Sequence, residues 1–228
     1  MKTSPAFKLV VLGMCAAGVV LAVRIDDMEV SSACRFPGIP SPKFEAAYRQ
    51  ARAAVVQINA GSGIGTAFLI SSDGLAITAK HVAMASKSLS AKTLNGTKVK
   101  VKLVDLHPKL DFAVIKLLGG HQWSYLKLGT AKIKLNDTAF AIGNSCRDFL
   151  KPRFGKVIAL PEKPRPNRPK GVLELDLPVS SGDSGAPVLD AQGQVIGEVI
   201  EGGEDALGFS SFAVPITAFQ SWLQNLSK

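Results

Sequence analysis

The sequence has few of the side chains that build metal centres. Its 228 residues include only three histidines and three cysteines, which lie far apart without the spacing of a ligand set. Aromatic residues make up 7% of the chain, and no stretch interleaves them with basic residues as nucleic-acid-binding modules do. We therefore expect no metal, no other cofactor and no nucleic-acid partner.

Apolar sequence of membrane-spanning length is also scarce. The stretch 9–23 is apolar, follows Lys2 and Lys8, and precedes Arg24. Its fifteen residues are typical of the core of an export signal and are short for a full membrane span. Residues 1–24 are interpreted as a signal peptide or a membrane anchor, because no clean small-x-small cleavage site decides between the two. We expect an exported protein, periplasmic or secreted, either free or anchored in the inner membrane through residues 9–23.

Acidic side chains are outnumbered by basic ones, 18 against 27, which gives a formal net charge of +9. A basic surface can contact phosphate or anionic lipid, but we interpret the excess as ordinary solubilising charge. Prolines and basic residues concentrate at 161–170. Prolines exclude a central strand and the charges oppose burial, so an exposed loop is predicted there. A docking site for an acidic partner is the alternative.

The cysteines allow one disulfide outside the apolar start. Cys15 lies within that start, which leaves Cys34 and Cys146. An exported chain folds in an oxidising compartment, where two such thiols can pair. We predict this disulfide, although spacing alone does not show that the two residues are close.

Short apolar or alternating segments, separated by turns that contain glycine, follow from Val55 onward. This pattern is typical of an all-β sandwich or a pair of barrels. Residues 25–43 are interpreted as a leader, 44–52 as a short helix, and the apolar spacing after Pro215 as a C-terminal packing helix. Strands are predicted at Val55–Ile58, Thr66–Ile70, Leu75–Ala79, Thr97–Leu106, Phe112–Leu117, Ala139–Ile142, Phe154–Leu160, Val172–Leu175, Pro187–Leu189, Val195–Ile200 and Phe209–Val214.

A serine between two glycines occurs at 182–185, with the sequence Gly-Asp-Ser-Gly, and an apolar strand follows it. Glycines let the backbone turn so that consecutive N–H groups converge, while the hydroxyl of Ser184 stays accessible. The pattern alone is weak, because glycine and serine are common in surface turns. It becomes specific when a base and an orienting carboxylate lie upstream.

Both groups are present. His81 closes the apolar run 75–80, whereas His107 precedes a proline and His121 follows two glycines, as loop residues do. Asp111 opens the apolar segment 111–117, which would hold its carboxylate rigidly. The resulting order His–Asp–Ser is that of the chymotrypsin-type triad and differs from the order in subtilisins and α/β-hydrolases. Three other carboxylates compete less well for the acid's role because no apolar strand follows them directly: Asp105, Asp137 and Asp148.

With these motifs the chain resembles the trypsin-like (chymotrypsin-fold) serine proteases, and most of all the bacterial Do-type periplasmic proteases. The resemblance extends over residues 55–216. It implies an all-β fold of two packed antiparallel barrels, one at 44–128 and a second, followed by a C-terminal helix, at 129–228. The matching blocks are 63–68 with 77–82, 105–115, 141–144, 182–188 with 195–197, and 209–215.

The resemblance implies a serine endopeptidase that acts on proteins or peptides through an acyl-enzyme. His81, Asp111 and Ser184 would be catalytic, and the backbone at Gly182, Asp183 and Ser184 would form the oxyanion hole. Two alternatives remain open: a catalytically silent module that binds peptides, and a basic anchoring module. Do-type proteases usually have Asn where this chain has Asp183, and a second glycine where it has Ala186. We also expect no PDZ domain after the barrels.

The resemblance further implies a primary specificity pocket. Pro178, six residues before Ser184, would lie at its base, and Gly202 would line one wall. No fixed negative charge is expected there, and Glu201 is expected to point away from the floor. Burying an unpaired Lys or Arg in an uncharged pocket is costly. We therefore expect cleavage after small or medium apolar residues.

Overall fold

The computed structural model describes residues 41–119, 122–130, 132–146, 148–205 and 208–226. The predicted signal or anchor segment and most of the leader lie outside the described residues. The described part forms two closed six-stranded barrels in which every strand pairing is antiparallel. The all-β, two-barrel fold expected from the sequence is thereby confirmed.

The first barrel closes in the order β1-β2-β3-β6-β5-β4. Its alternating strands bury one face each, and the buried residues fill the barrel with small and branched side chains such as Ile58, Ala67 and Ile115. The strands are β1 Val55–Ala60, β2 Gly63–Leu69, β3 Leu75–Thr78, β4 Leu89–Lys92, β5 Lys98–Leu106 and β6 Ala113–Leu117.

The second barrel closes in the order β10-β11-β12-β9-β8-β7. Val157, Leu173 and Val188 are among the residues that fill it. The strands are β7 Thr138–Gly143, β8 Lys151–Ala159, β9 Leu173–Leu175, β10 Pro187–Leu189, β11 Val195–Asp205 and β12 Gly208–Pro215.

Three helices complete the described fold: α1 Pro42–Ala51, α2 Lys80–Met84 and α3 Ile216–Leu226, with a 3₁₀ turn at Arg52–Ala54. A proline opens α1 in its first turn, where no N–H is needed. The hydroxyl of Tyr48 in α1 donates to the carbonyl of Leu150, at 2.9 Å. In α3, the ring of Phe219 stacks on Phe112, with 4.1 Å between centroids.

A third apolar cluster joins the two barrels. Phe68 and Ile77 of the first barrel, Phe140 and Ile142 of the second, and Phe219 of α3 all belong to it. Phenylalanine truncation in such a core typically costs about 3–5 kcal/mol. The two barrels therefore share a core, and side chains at the ends of their strands are held in a fixed relative position.

Two features differ from the sequence-based expectations. β4 was not predicted, because Leu-Ser-Ala-Lys carries little β-forming signal. The segment 161–170 is not simply solvated: Arg165 and Arg168 reach back to Glu174 of β9, at 3.0 and 3.3 Å. Glu174 is 2% exposed and also accepts from the Ser210 hydroxyl at 2.6 Å. The basic side chains of this loop can therefore lie against the barrel, because the buried carboxylate of Glu174 pairs with them.

Candidate active site

The pairing of β3 with β6 brings His81 and Asp111 together. The register places Thr78, the last residue of β3, opposite Ala113, the first residue of β6. His81 follows Thr78 by three residues, in the first turn of α2, and Asp111 precedes Ala113 by two. Residues that follow one strand and precede its antiparallel neighbour meet at the same barrel end.

The Asp111 carboxylate contacts His81 at two points. Oδ2 lies 2.6 Å from the ring Nδ1, and Oδ1 accepts the backbone N–H of His81 at 2.9 Å. Because the carboxylate accepts the Nδ1 proton, the neutral imidazole keeps Nε2 as its free base. The same aspartate therefore fixes both the ring and the start of the helix that carries it.

The two pKa values are shifted in the directions that favour an ion pair. The hydrogen bond from Asp111 raises the pKa of His81, against partial burial, which opposes the charged ring. Burial alone would raise the pKa of Asp111. Hydrogen bonds from the His81 ring and from the backbone of His81 and Lys80 outweigh it, so that pKa is lowered. The imidazole is thus more basic than a free histidine.

Ser184 lies in the turn between β9 and β10, and this turn packs against β2 and the end of β3. Gly185, with φ of +85°, lies so close to Thr66 O and Thr78 Oγ1 that a Cβ would overlap them. The Ser184 carbonyl accepts the Thr66 N–H at 2.8 Å. The nucleophile turn thus meets the end of β3, three residues before His81. Within the described residues, the Ser184 hydroxyl makes no hydrogen bond.

Two backbone N–H groups beside Ser184 are unused. Among the described residues, neither Gly182 N–H nor Ser184 N–H has an acceptor, and Gly182 has φ of +104°. The Asp183 N–H donates to the Ser180 carbonyl at 3.0 Å instead. The expectation that the Asp183 backbone joins the oxyanion hole is thereby corrected, because its donor is already engaged in a turn.

Asp183 acts on this turn through its side chain. It is 1% exposed, and its carboxylate accepts the N–H groups of Ser145 at 3.0 Å and Ser180 at 3.1 Å. Burial raises the pKa of Asp183, opposed by these hydrogen bonds and by the positive charge of Arg153. Only glycine fits at 143, since a Cβ there would overlap Asp183 Oδ1. The carboxylate thus ties the Ser184 turn to the segment after β7.

Sequence reasoning missed the polar groups that hold the Gly182 peptide. Thr66 Oγ1 donates to the Gly182 carbonyl at 2.7 Å and accepts from Asn144 Nδ2 at 2.9 Å. Thr66 lies in the middle of β2 and Asn144 directly after β7, and both are buried. Buried polar groups need partners, so the two residues within the matched blocks 63–68 and 141–144 could have been suspected from that fact alone.

The competing groups from the sequence are engaged elsewhere. His107 Nδ1 accepts the backbone N–H of Leu110 at 2.9 Å, its ring packs on Trp222, and burial lowers its pKa. His121 lies outside the described residues. The other three carboxylates are also committed: Asp105 to the N–H of Leu106, Asp137 to the N–H of Lys134, and Asp148 to Arg153.

Val179 connects the predicted pocket residues, because it follows Pro178 in the sequence and contacts Gly202. Pro178 is buried between Leu177 and Val179, while Gly202 and Glu201 are exposed on β11. A Cβ at Gly202 would overlap Val179 Cγ2. Val179, which the sequence reasoning did not single out, therefore narrows the space between the expected base and the expected wall.

Three further findings bear on the expectations. Cys146 is disulfide-bonded, but Cys34 lies outside the described residues, so their pairing stays a prediction. Within the described ranges, no group of three or more His, Cys, Asp or Glu side chains could hold a metal ion. None of the helices described is long and apolar enough to cross a membrane.

Comparisons with known proteins identify the family of the chain. The family described as "Trypsin-like peptidase domain" matches residues 65–197. A "Probable periplasmic serine endoprotease DegP-like" of Chlamydia trachomatis is 31% identical over 189 residues, which is 79% of this chain and 35% of the relative. A "Putative serine protease HhoB" of Synechocystis is 28% identical over 72% of this chain and 40% of the relative.

Among solved structures, "HtrA-type protease AlgW with tripeptide" superposes with a TM-score of 0.72 at 23% identity, covering 82% of this chain and 64% of that one. The chain spans between 27% and 40% of the length of the curated relatives named DegP-like or HhoB that it matches. The fold, the family match over more than half of the chain and the shared motifs lead to one conclusion: the chain belongs to the trypsin-like peptidase family.

Proposed function

We propose that this domain is a serine endopeptidase that cleaves peptide bonds through an acyl-enzyme. One observation carries the proposal: a histidine bonded at two points to a partly buried aspartate lies at the barrel end against which the Ser184 turn packs. The relatives named as serine endoproteases support the same activity. The site then offers a nucleophile, a base, an orienting carboxylate and donors for the oxyanion.

In this mechanism Ser184 Oγ attacks the peptide carbonyl while His81 Nε2 takes its proton. The imidazolium is stabilised by Asp111, which also holds the ring in the required tautomer. The N–H groups of Gly182 and Ser184 bind the oxyanion, a contribution of about 3–4 kcal/mol for a single donor. His81 then returns the proton to the leaving amine. In the second half of the reaction water attacks the acyl-enzyme, His81 takes the proton of the water, and Ser184 leaves with that proton.

The hydroxyl of Ser184 must rotate toward His81 when substrate binds. Catalytic hydrogen bonds are often long or absent in a substrate-free site and tighten in the complex. Asp183 prepares the site for this step, since its carboxylate already anchors the turn through Ser145 and Ser180. We infer that the hole assembles from contacts within the chain, without a processed amino terminus.

The pocket supports substrates with small apolar side chains before the scissile bond. Val179 Cγ2 lies directly against Gly202, and both residues are uncharged. An unpaired Lys or Arg would lose its hydration there without compensation. We propose cleavage after residues such as Ala or Val. The related periplasmic proteases support export as the setting, in agreement with the basic and apolar start of the chain.

A matched pair of serine variants tests the activity. Ser184→Ala should abolish hydrolysis of an unfolded protein and labelling by a fluorophosphonate probe, whereas Ser181→Ala, three residues away in an exposed position, should retain both. His81→Ala should lose about as much as Ser184→Ala, and the double variant little more, because the residues act as one unit. Full turnover by His81→Ala would refute the assignment.

The second candidate is a silent peptide-binding module. The free Ser184 hydroxyl, which no described residue binds, favours it. In that case the wild-type protein would bind unfolded peptides without cutting them and the probe would leave Ser184 unlabelled. The same assay therefore separates the two functions.

A further inference from the structure

The outer face of β5 carries three lysines in a row. Lys98, Lys100 and Lys102 alternate with residues that point into the first barrel, and all three are exposed. Alternate residues of a strand are about 6.8 Å apart, so the ammonium groups follow a straight line. We call the surface formed by Lys98, Lys100 and Lys102 the lysine ridge.

The three lysines have no acidic partner within the described residues, since none of the ion pairs there involves Lys98, Lys100 or Lys102. The strands on both sides add positive charge: Lys92 lies directly opposite Lys98, and Lys116 opposite Lys102. Like charges that face each other across strands are destabilising. An arrangement of this kind is favoured when an anionic surface lies against it.

Of the five lysines on β4, β5 and β6, the two outside β5 have partners. Lys116 pairs with Asp73 at 2.5 Å, and the Lys92 ammonium lies 4.6 Å from the centre of the Phe149 ring. The other three, all on β5, have no ion pair and no ring contact among the described residues.

Exposed apolar side chains lie beside the lysines. Leu118 follows the register of β6, so it lies opposite Lys100, and its N–H donates to the Lys100 carbonyl at 2.9 Å. Val104 continues β5 beyond Lys102. Leu118 and Val104 are 45% and 44% exposed. A soluble polyanion offers such side chains no contact, whereas the boundary between lipid headgroups and acyl chains buries them.

We propose that the lysine ridge docks the first barrel on an anionic membrane surface. The lysines would contact lipid phosphates, and Leu118 and Val104 would enter the headgroup boundary. None of the strands β4, β5 and β6 contains an aromatic residue, so these strands offer no platform for the base stacking that single-stranded nucleic acids require. The proposal is independent of the peptidase activity.

Vesicle binding of the full chain tests the proposal. The readout is the ratio of partition coefficients between vesicles that contain phosphatidylglycerol and pure phosphatidylcholine vesicles. This ratio cancels any insertion of the apolar stretch 9–23 that does not depend on lipid charge. Each lysine near an anionic surface contributes about fivefold. The triple variant K98Q/K100Q/K102Q should therefore lower the ratio by about a hundredfold.

A matched variant controls for net charge. K127Q/K151Q/K170Q removes the same charge at exposed positions outside β4–β6 and should keep the ratio within about threefold of the wild type. Both triple variants should retain the thermal midpoint and the peptidase activity of the wild type. The proposal is wrong if the ridge variant keeps its preference for anionic vesicles, or if the control loses as much.

The apolar residues distinguish a membrane from a soluble polyanion. L118S/V104S should weaken binding to phosphatidylglycerol vesicles several-fold at high salt, where electrostatic attraction is screened. Its binding to inorganic polyphosphate should not change. If the wild type binds polyphosphate as tightly as vesicles and L118S/V104S has no effect on either, the ridge is a site for a soluble polyanion and the membrane proposal is overturned.

Discussion

At the scale of single residues, Asp111 has two separable tasks. One carboxylate oxygen accepts the backbone N–H of His81, and the other accepts its ring proton. An asparagine can still accept one N–H, but its amide cannot stabilise the imidazolium, and it favours the wrong tautomer. The two tasks can therefore be separated by a single isosteric change.

Asp111→Asn should reduce kcat for peptide hydrolysis by about 10⁴-fold while the fold is retained. The pKa of His81 should fall at the same time, because the hydrogen bond that raises it is lost. The raised pKa means that the ion pair stabilises the fold below the ordinary histidine pKa of 6.5 and stops doing so as the pH rises through the folded value.

Titration of the His81 ring by NMR, with circular dichroism to follow the fold, measures both effects of Asp111→Asn. Asp105→Asn is the matched control, since Asp105 accepts only the N–H of Leu106 through its side chain. An unchanged His81 pKa in Asp111→Asn would contradict the geometry of this pair.

Glu198 is a second residue that stands out at this scale. It is fully buried on β11, and neither of its carboxylate oxygens has a hydrogen-bond partner within the part of the chain that the structure describes. Burial raises its pKa well above the ordinary glutamate value of 4.5, and the negative charge of Asp111 adds to the shift. The folded protein thus holds a proton there that the unfolded chain releases. Stability should consequently decline with rising pH above about 4.5.

Glu198→Met should remove this decline. The free energy of unfolding of the variant, relative to the wild type, should rise with pH by up to about 1.4 kcal/mol per unit above pH 4.5, until the folded Glu198 ionises. Urea unfolding at pH 5 and at pH 8 measures the difference. Glu201→Gln, on the same strand but exposed, should show no such dependence. A parallel pH dependence of wild type and Glu198→Met would contradict it.

At the scale of elements, the positions of the strands could be predicted from the sequence, but the pairing of the strands could not. Alternation and glycine turns placed eleven of the twelve strands within a few residues, since side-chain period and turn chemistry are local. The pairing of Thr78 with Ala113, which brings His81 to Asp111, joins two neighbouring strands that lie far apart in the sequence. Local pattern does not specify such a contact, and here the order of motifs in a known family supplied it.

The same limit explains what was missed. The buried hydroxyl of Thr66 and the contact between Val179 and Gly202 depend on which strands face each other. The composition of the segment 161–170 predicted exposure, because it does not show that the nearby carboxylate of Glu174 is buried in the barrel. Glu174 converts this basic loop into a docked one.

Removing that carboxylate should release the loop. Glu174→Ala removes the carboxylate that Arg165, Arg168 and the Ser210 hydroxyl all contact. It should cost about 3 kcal/mol, near the lower limit for a broken buried pair, because both guanidinium groups are partly exposed. Proteinase K should then cut within 161–170 at a higher rate. Glu162→Ala, exposed in the same loop, should change neither stability nor cleavage; equal protection of Glu174→Ala would disprove the docking.

At the scale of the whole molecule, the site depends on two barrels at once. His81 and Asp111 come from the first barrel and Ser184 from the second, so their distance depends on the core that the barrels share. Phe219 of α3 stacks on Phe112, the residue next to Asp111. Well-packed cores transmit small displacements, and a misplacement of 1 Å can cost a hundredfold in rate.

Phe219→Ala should therefore lower kcat by more than its effect on stability accounts for. Both it and Leu117→Ala, at the other end of β6 and inside the first barrel, should cost about 3–5 kcal/mol. Assayed well below both thermal midpoints, Leu117→Ala should keep most of its kcat. Phe219→Ala should lose at least tenfold, because the cavity beside Phe112 lets Asp111 and His81 shift relative to Ser184. Equal kcat in the two variants would show that the shared core holds the barrels together without positioning the triad.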